Sequence, residues 1–493
     1  MPYEWMLTDL MLLPVLLAGI CILLRSPRAV AIACAVGTPA AAIPVVMTAV
    51  TALRHGPLSS GAGWFRLDAL SALHMLVMAG VFVIAGICGY VYLRNEATSG
   101  HLTLKLARRY GSLWFGSFAA MLLVLISNNL GLLWVGIEAS TLLTAFLICI
   151  HSTPAALEAM WKYLLMCSVG VALAFTGTLL IAASAGPADL QGAEVMLWTN
   201  LRSVAAQLHP TLIKSGFIFI VVGYGVKAGL APMHNWLPDA HSQAPGPVSA
   251  VFSGFLLNAA LYGILRCLPL VETATGNEGW GSGILVMFGL LSIAVAAALI
   301  VSQQDIKRLL AYSSVEHIGI MVLGFGLGGL GAIAALFHMC CHSLAKTLAF
   351  CCAGRIGQIY GTHEMQRLKQ LTRASPWLGT GLLAALLTLI GTAPLALFIS
   401  ELLILKTAVD QGRLAAVIIL SAGLAVVFIV LLRRMIAMAW DTNTDLPPRQ
   451  RTHWTEALVV IAGLAVLLAL GVYWPPPLAR ILTAAAAILE GVP

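Results

Sequence analysis

About fourteen stretches of roughly 20 mostly apolar residues follow one another along the sequence, separated by short links carrying polar residues, glycine or proline. Runs of that length match the thickness of a bilayer core, and only a helix or a closed barrel can satisfy its own backbone there. The composition agrees, because 60% of the 493 residues are hydrophobic and 10% charged, where a soluble chain carries about a quarter. A polytopic α-helical membrane protein is the expectation. The first run, Leu10 to Leu24, lacks a basic leader and a small-residue cleavage site, and reads as a retained span.

Lysine and arginine fall unevenly in the links. Odd-numbered links hold sixteen of them, Arg449 and Arg451 included, and even-numbered links hold four, Arg54, Arg66, Arg202 and Arg413. The positive-inside rule then places the odd links in the cytoplasm and both termini outside, in a bacterial-type cell membrane. The net charge of +7 is thus a topology signal, which removes nucleic acid as a partner. Leu197 to His209 is amphipathic and too polar to span, so it is expected at the outer interface.

The ten cysteines stand singly or as adjacent pairs with no C-x-x-C spacing, so cluster and structural-metal ligation are not expected. The chain also lacks a dinucleotide fingerprint and a phosphate loop. No cofactor is expected in this subunit, and redox chemistry would have to come from a partner.

Charges inside the spans are expensive, at least about 2.5 to 3.5 kcal/mol each at mid-bilayer, and mark working sites. Lys214, Arg266, Lys406 and Arg480 lie near span ends, where they are expected to snorkel. Lys162, Lys227 and Lys346 lie deeper, with Lys162 the shallowest. Just past Lys227, Ala231-Pro232 breaks the seventh span, placing a negative helix end beside the lysine and freeing carbonyls that can hold water. The motif "GLAP" there is echoed by "GTAP", Gly391 to Pro394, inside the overlong twelfth span; paired interruptions point to repeated halves with broken helices.

Glu138 stands mid-span without a basic residue three or four positions away, so its partner must come from another span. His338, His342 and Lys346 repeat at every fourth position, sharing one helix face about 6 Å apart per step. A zinc pair from the two histidines lacks a nearby carboxylate and faces repulsion from Lys346, whereas a proton relay suits groups that titrate near neutrality. Glu401 is a terminal acidic site on this route or a partner for Lys406. Glu316 and His317 enter the tenth span and could feed the row, while His234, Asp239 and His241 are expected to line the polar turn after the first break.

The motifs "KAGLAPMHNWLPDAHSQAPGPVSA", "QQDIKRLLAYSSVEHIG" and "FHMCCHSLAKTLAF" resemble the proton-translocating antiporter-like family of complex I, Mrp antiporters and energy-converting hydrogenases, over about residues 109–434. "SSVEHIG" and "EAMWKYLL" are most similar to the component F branch of hydrogenase-4-type complexes. The resemblance implies an all-α fold of about fourteen transmembrane helices. Residues 1–109 would be an N-terminal three-helix region, 110–268 and 283–432 two inverted five-helix repeats with helices 7 and 12 broken, and 433–493 a cytoplasmic loop and C-terminal helix.

Carried over by position, Glu138 matches a modulating glutamate, Lys162 a sixth-helix lysine, Lys227 the lysine of the first break, His338, His342 and Lys346 the relay, and Glu401 the terminal acid. The eighth helix departs from the pattern with Asn258, which cannot titrate. The implied function is proton translocation in a redox-driven complex, partnered by other membrane subunits and a peripheral redox arm. The alternatives are an Mrp-type sodium/proton antiporter subunit and a non-conducting scaffold.

Overall fold

The computed structural model describes residues 6–60, 63–188, 190–441 and 452–491. Arg449 and Arg451 lie outside these residues. The first half comprises α1 (Met6–Leu23), α2 (Pro27–His55), α3 (Ala69–Thr98), α4 (Leu104–Ile126), α5 (Leu130–Ile148), α6 (Pro154–Ala183), α7a (Pro210–Ala228), α7b (Trp236–Gln243) and α8 (Gly246–Ala274). The second comprises α9 (Trp280–Ile300), α10 (Ile306–Leu327), α11 (Leu330–Tyr360), α12a (Pro376–Leu389), α12b (Ala396–Asp410), α13 (Leu414–Trp440), α14 (Trp454–Val472) and a shorter α15 (Pro476–Leu489). Thirteen of these helices are long and apolar enough to cross a membrane, and the divided twelfth brings the spans to the number expected.

Polar residues at the links start the helices. Asp68, Thr103, Asn129, Thr153 and Asp305 each accept a backbone N–H of the following first turn through the side chain, satisfying donors that a helix start leaves unpaired. The links then gather by parity. At one end Phe65 bridges to Ser127 and Asn129 to Leu197, tying even links together. At the other, Asp305 bridges to Glu364, and Glu96 faces His151, tying odd links. Among the described residues, the basic residues of the odd links therefore share one end of the molecule.

Helix α8 is buried on all sides, α10 and α11 nearly so, while α1, α13 and α14 are mostly exposed. Lipid offers no hydrophobic drive for pairing helices, so contact is made where backbones can approach. Helices α6 and α7a do so at Gly170 and Gly223, where a Cβ on Gly223 would sit 2.5 Å from the Gly170 carbonyl oxygen.

Both breaks close in the same way. After α7a, Gly229 adopts φ +79°, its N–H bonds to Val226 and that of Leu230 to Gly225. After α12a, Gly391 adopts φ +65°, its N–H bonds to Thr388 and that of Thr392 to Leu387. This is a Schellman closure, which needs a left-handed residue one position past the helix, and glycine holds it without a Cβ penalty. Two carbonyls before the first break are thus bonded by protein, Gly225 by Leu230 and Val226 by Gly229 and by the Trp236 indole N–H at 2.8 Å.

Arg266 does not snorkel. Its guanidinium, 5% exposed, grips Asp68 with two bonds of 2.6 and 2.8 Å, donates to the Tyr262 and Ser71 hydroxyls, and lies over the Trp198 ring. The pair joins α8 to the start of α3, and the amphipathic Leu197–His209 segment closes over it.

Candidate functional site

Lysine 227 occupies the last turn of α7a and is buried. Its Nζ donates to Thr141 Oγ1 at 2.6 Å and to the Tyr163 hydroxyl at 2.9 Å. Tyr163 continues to Thr144 Oγ1 at 2.7 Å, so α5 and α6 supply a hydroxyl cage around one ammonium. Glu138 lies one turn from Thr141 on α5, yet forms no direct ion pair with Lys227 among the described residues. One of its oxygens accepts from Ser168 at 3.3 Å and the other is buried without a partner. The modulating glutamate that the resemblance implies is therefore not an ion-pair partner of Lys227 among the described residues.

Lys162 is corrected. It follows the cage helix but faces outward, its side chain 48% exposed, paired with Glu158 at 2.6 Å and Asp239 at 3.0 Å. Asp239 also holds Arg308 at 2.6 Å, so it does not line the turn with the histidines. His234 and His241 turn inward and are buried without hydrogen-bond partners. The His241 ring stacks on Phe350 at 4.6 Å, and Phe252, 6.1 Å from it, packs 6.0 Å from Tyr163.

Residues Phe252–Leu256 of α8 form a π turn, which opens the helix ladder beside this region. Ser253 from that turn meets Ser314 of α10 at 2.7 Å. Ser314 donates to the Leu310 carbonyl, and Lys346 Nζ donates to the same carbonyl at 2.7 Å. Asn258 lies one turn further, bonding Gly254 and Ser343, with its own carbonyl oxygen unpartnered.

The row on α11 is as spaced: the His338 and His342 rings lie 6.3 Å apart. Glu316 and His317 do not enter α10; they sit at its middle, buried, with both Glu316 oxygens unpartnered. The His317 ring lies 5.1 Å from that of His338 and 5.0 Å from that of His342, making it the centre of a three-imidazole cluster. His317 Nδ1 is 3.0 Å from His338 Nε2, and His338 Nδ1 is 2.8 Å from Ser400 Oγ.

Ser400 Oγ donates to the Leu397 carbonyl at 2.7 Å and can accept from His338 Nδ1 in the tautomer that carries its proton there. His338 Nε2 is then the acceptor and His317 Nδ1 the donor. Glu401, next to Ser400, is buried, has one unpartnered oxygen, and borders a cavity of about 260 Å³ between α12b and α13. It does not pair with Lys406, which pairs with Asp410. One ligand atom from each of His317, His338 and Glu401 lies within 4.8 Å of the others, so a carboxylate does stand beside two of these histidines.

The hydroxyls of Tyr163, Thr141, Ser253, Ser314 and Ser400, which join these groups, are absent from the sequence-level site. Tyr163 beside Lys162, Ser400 beside Glu401 and Ser314 within "QQDIKRLLAYSSVEHIG" each had a signal of position.

A family model described as NADH:quinone oxidoreductase/Mrp antiporter, transmembrane region, matches residues 127–427. A hydrogenase-4 component F homolog of Methylacidiphilum infernorum (isolate V4) is 39% identical over 84% of this chain and 86% of its own length. A chain of the membrane-bound sulfane sulfur reductase, an archaeal respiratory membrane complex, superposes with a TM-score of 0.86 at 23% identity, covering 98% of this chain and 97% of that one. A chain of the Mrp complex from Dietzia sp. DQ12-45-1b superposes with a TM-score of 0.86 at 20% identity, covering 99% and 98%. At these identities the two structures establish the shared fold.

Proposed function

The chain belongs to the NADH:quinone oxidoreductase/Mrp antiporter transmembrane family, and on that premise we propose that it is a proton-translocating membrane subunit of a redox-driven, hydrogenase-4-like complex. The observation that carries this reading is the hydrogen-bonded chain from His317 through His338 to Ser400, with Glu401 at its end on a cavity wall. Imidazole nitrogens bind protons and borderline metals, whereas sodium needs oxygen ligands, so this centre favours the proton over the ion of an Mrp-type exchanger.

In the proposed cycle a charge change near Glu138 shifts the balance at Lys227, whose proton leaves by way of Tyr163. His241 and the Ser253–Ser314 pair span the distance to Lys346, where Asn258 contributes no titratable group. The imidazole cluster then passes the proton to Glu401. A neutral His338 that accepts at Nε2 can release the proton it already holds at Nδ1 toward Ser400, and ring rotation resets it. Membrane partners follow from the relatives' complexes, and a peripheral redox arm is the proposed source of drive and of any cofactor. The shared basic end is proposed to face the cytoplasm, with both termini outside. The identical closures at Gly229 and Gly391 support two inverted repeats over residues 110–268 and 283–432.

The test is proton uptake by vesicles containing the assembled complex, driven by its own electron donor. Lys227→Ala and His338→Gln should each abolish uptake while electron transfer and assembly persist. Uptake at the unsubstituted rate in both would end this reading.

A further inference from the structure

We propose that His317, His338 and Glu401 form a seat for a borderline divalent cation, Zn²⁺ by preference. Catalytic-type zinc sites use three protein ligands of nitrogen and carboxylate type and leave a fourth position to water. All three donors are here, buried, each offering one atom within 4.8 Å of the others. A tetrahedral ion with bonds of about 2.0 to 2.2 Å sets its ligands about 3.4 Å apart. The nitrogens of His317 and His338, at 3.0 Å, are already near that spacing, and a rotation of the Glu401 side chain closes the set.

Three further observations fit an ion. The outer nitrogen of His338 is fixed by Ser400, which is itself fixed by Leu397, the kind of outer partner that orients a metal-binding imidazole. Glu401 keeps a buried oxygen without a partner, a free carboxylate donor for the ion. Glu316 and Glu401 are both buried without ion partners, so the region carries acidic groups that a cation would balance. Lys346 Nζ bonds the Leu310 carbonyl, seven residues before His317 in α10, and donates to none of the three proposed ligands. His342 is outside the set of three donors and bonds neither imidazole, although its ring lies 5.0 Å from that of His317 and 6.3 Å from that of His338.

An ion in this seat takes the position of the proton shared by His317 and His338. It would stop a relay that runs through them, but its binding rests on the donor geometry and not on that relay. Failure of the seat leaves the proton reading intact, and failure of proton uptake leaves the seat intact.

The experiment uses the full chain in detergent, in a His101→Gln/His151→Gln background that removes the surface histidines facing Glu96. After chelation and equilibrium dialysis against Zn²⁺, elemental analysis should find one tightly held ion per chain. Zinc K-edge absorption should show two imidazole nitrogens and carboxylate or water oxygen. His317→Gln and Glu401→Gln should each weaken binding by at least about tenfold, and His342→Gln should leave it unchanged. A chain that takes up no zinc, a spectrum without two imidazoles, or equal weakening by His342→Gln would overturn the proposal. The spectrum of the unsubstituted site decides even if a variant fails to fold.

Discussion

The Tyr163 hydroxyl lies 2.9 Å from Nζ of Lys227, while Lys162, its neighbour in sequence, points to the outside of the molecule. Successive helical residues are about 100° apart, and on α6, less than half of which is buried, that rotation carries Tyr163 inward and Lys162 out. Tyr163→Phe removes a bond to a buried cation, an interaction worth about 1.5 to 3 kcal/mol. Proton uptake by the assembled complex should fall about 10- to 100-fold. Lys162→Ala should leave uptake near normal, since that lysine serves an exposed ion-pair network.

Gly391→Ala should reduce uptake more than its stability cost suggests. The left-handed conformation costs a non-glycine residue about 1 to 2 kcal/mol, and the added methyl would strike the Glu401 carboxylate. Gly229→Ala meets Leu237 instead, at 2.6 Å, so its effect should appear chiefly as lost thermal stability. Comparing uptake with melting temperature for the two variants separates these outcomes.

Breaking the Asp68–Arg266 pair should damage the fold. Removing one member of a buried, bidentate pair leaves an uncompensated charge and costs about 3 to 5 kcal/mol. Asp68→Ala should lower the melting temperature of the purified chain sharply. Asp68→Ala with Arg266→Leu should recover part of the loss, because no charge is then left buried.

His363, in the link after α11, gives a pH dependence. Burial and then the nearby Lys307 cation push it from its ordinary 6.5 down to about 3. A depressed histidine is neutral in the fold, so its contribution is complete above about pH 6.5 and is lost as the pH falls toward 3. Melting temperatures measured from about pH 7 to about pH 4 should decline, and His363→Gln should flatten part of that slope.

Much of the site could be read from the sequence because it is written in local periodicity. The fourfold spacing of His338, His342 and Lys346 survives intact in α11, and the two glycine-proline breaks fall where the motifs put them. Other features failed for an identifiable reason. By hydropathy alone Glu316 and His317 fall near the entry of a span, whereas Asp305 caps α10 earlier and so puts them at its middle. Arg266 looked like a snorkelling residue because its partner is 198 positions away in the chain. The carboxylate that stands beside His338 is on α12b, outside any helical spacing, so no local period in the sequence shows it.

The sequence by itself determined that the chain spans a membrane, how many times, which links share an end, and where two helices must stop. These follow from span length, charge sorting and the backbone limits of glycine and proline, all of which act within a turn or a single span. The tertiary structure alone decided that His317 inserts between His338 and His342, that hydroxyls cage Lys227, and that Glu401 closes on two imidazoles. Each of those relationships, the Glu401 one being a separation within 4.8 Å and not a bond, joins helices that are separate in the chain, and the rotation of one helix against another is set by packing, which no local period records.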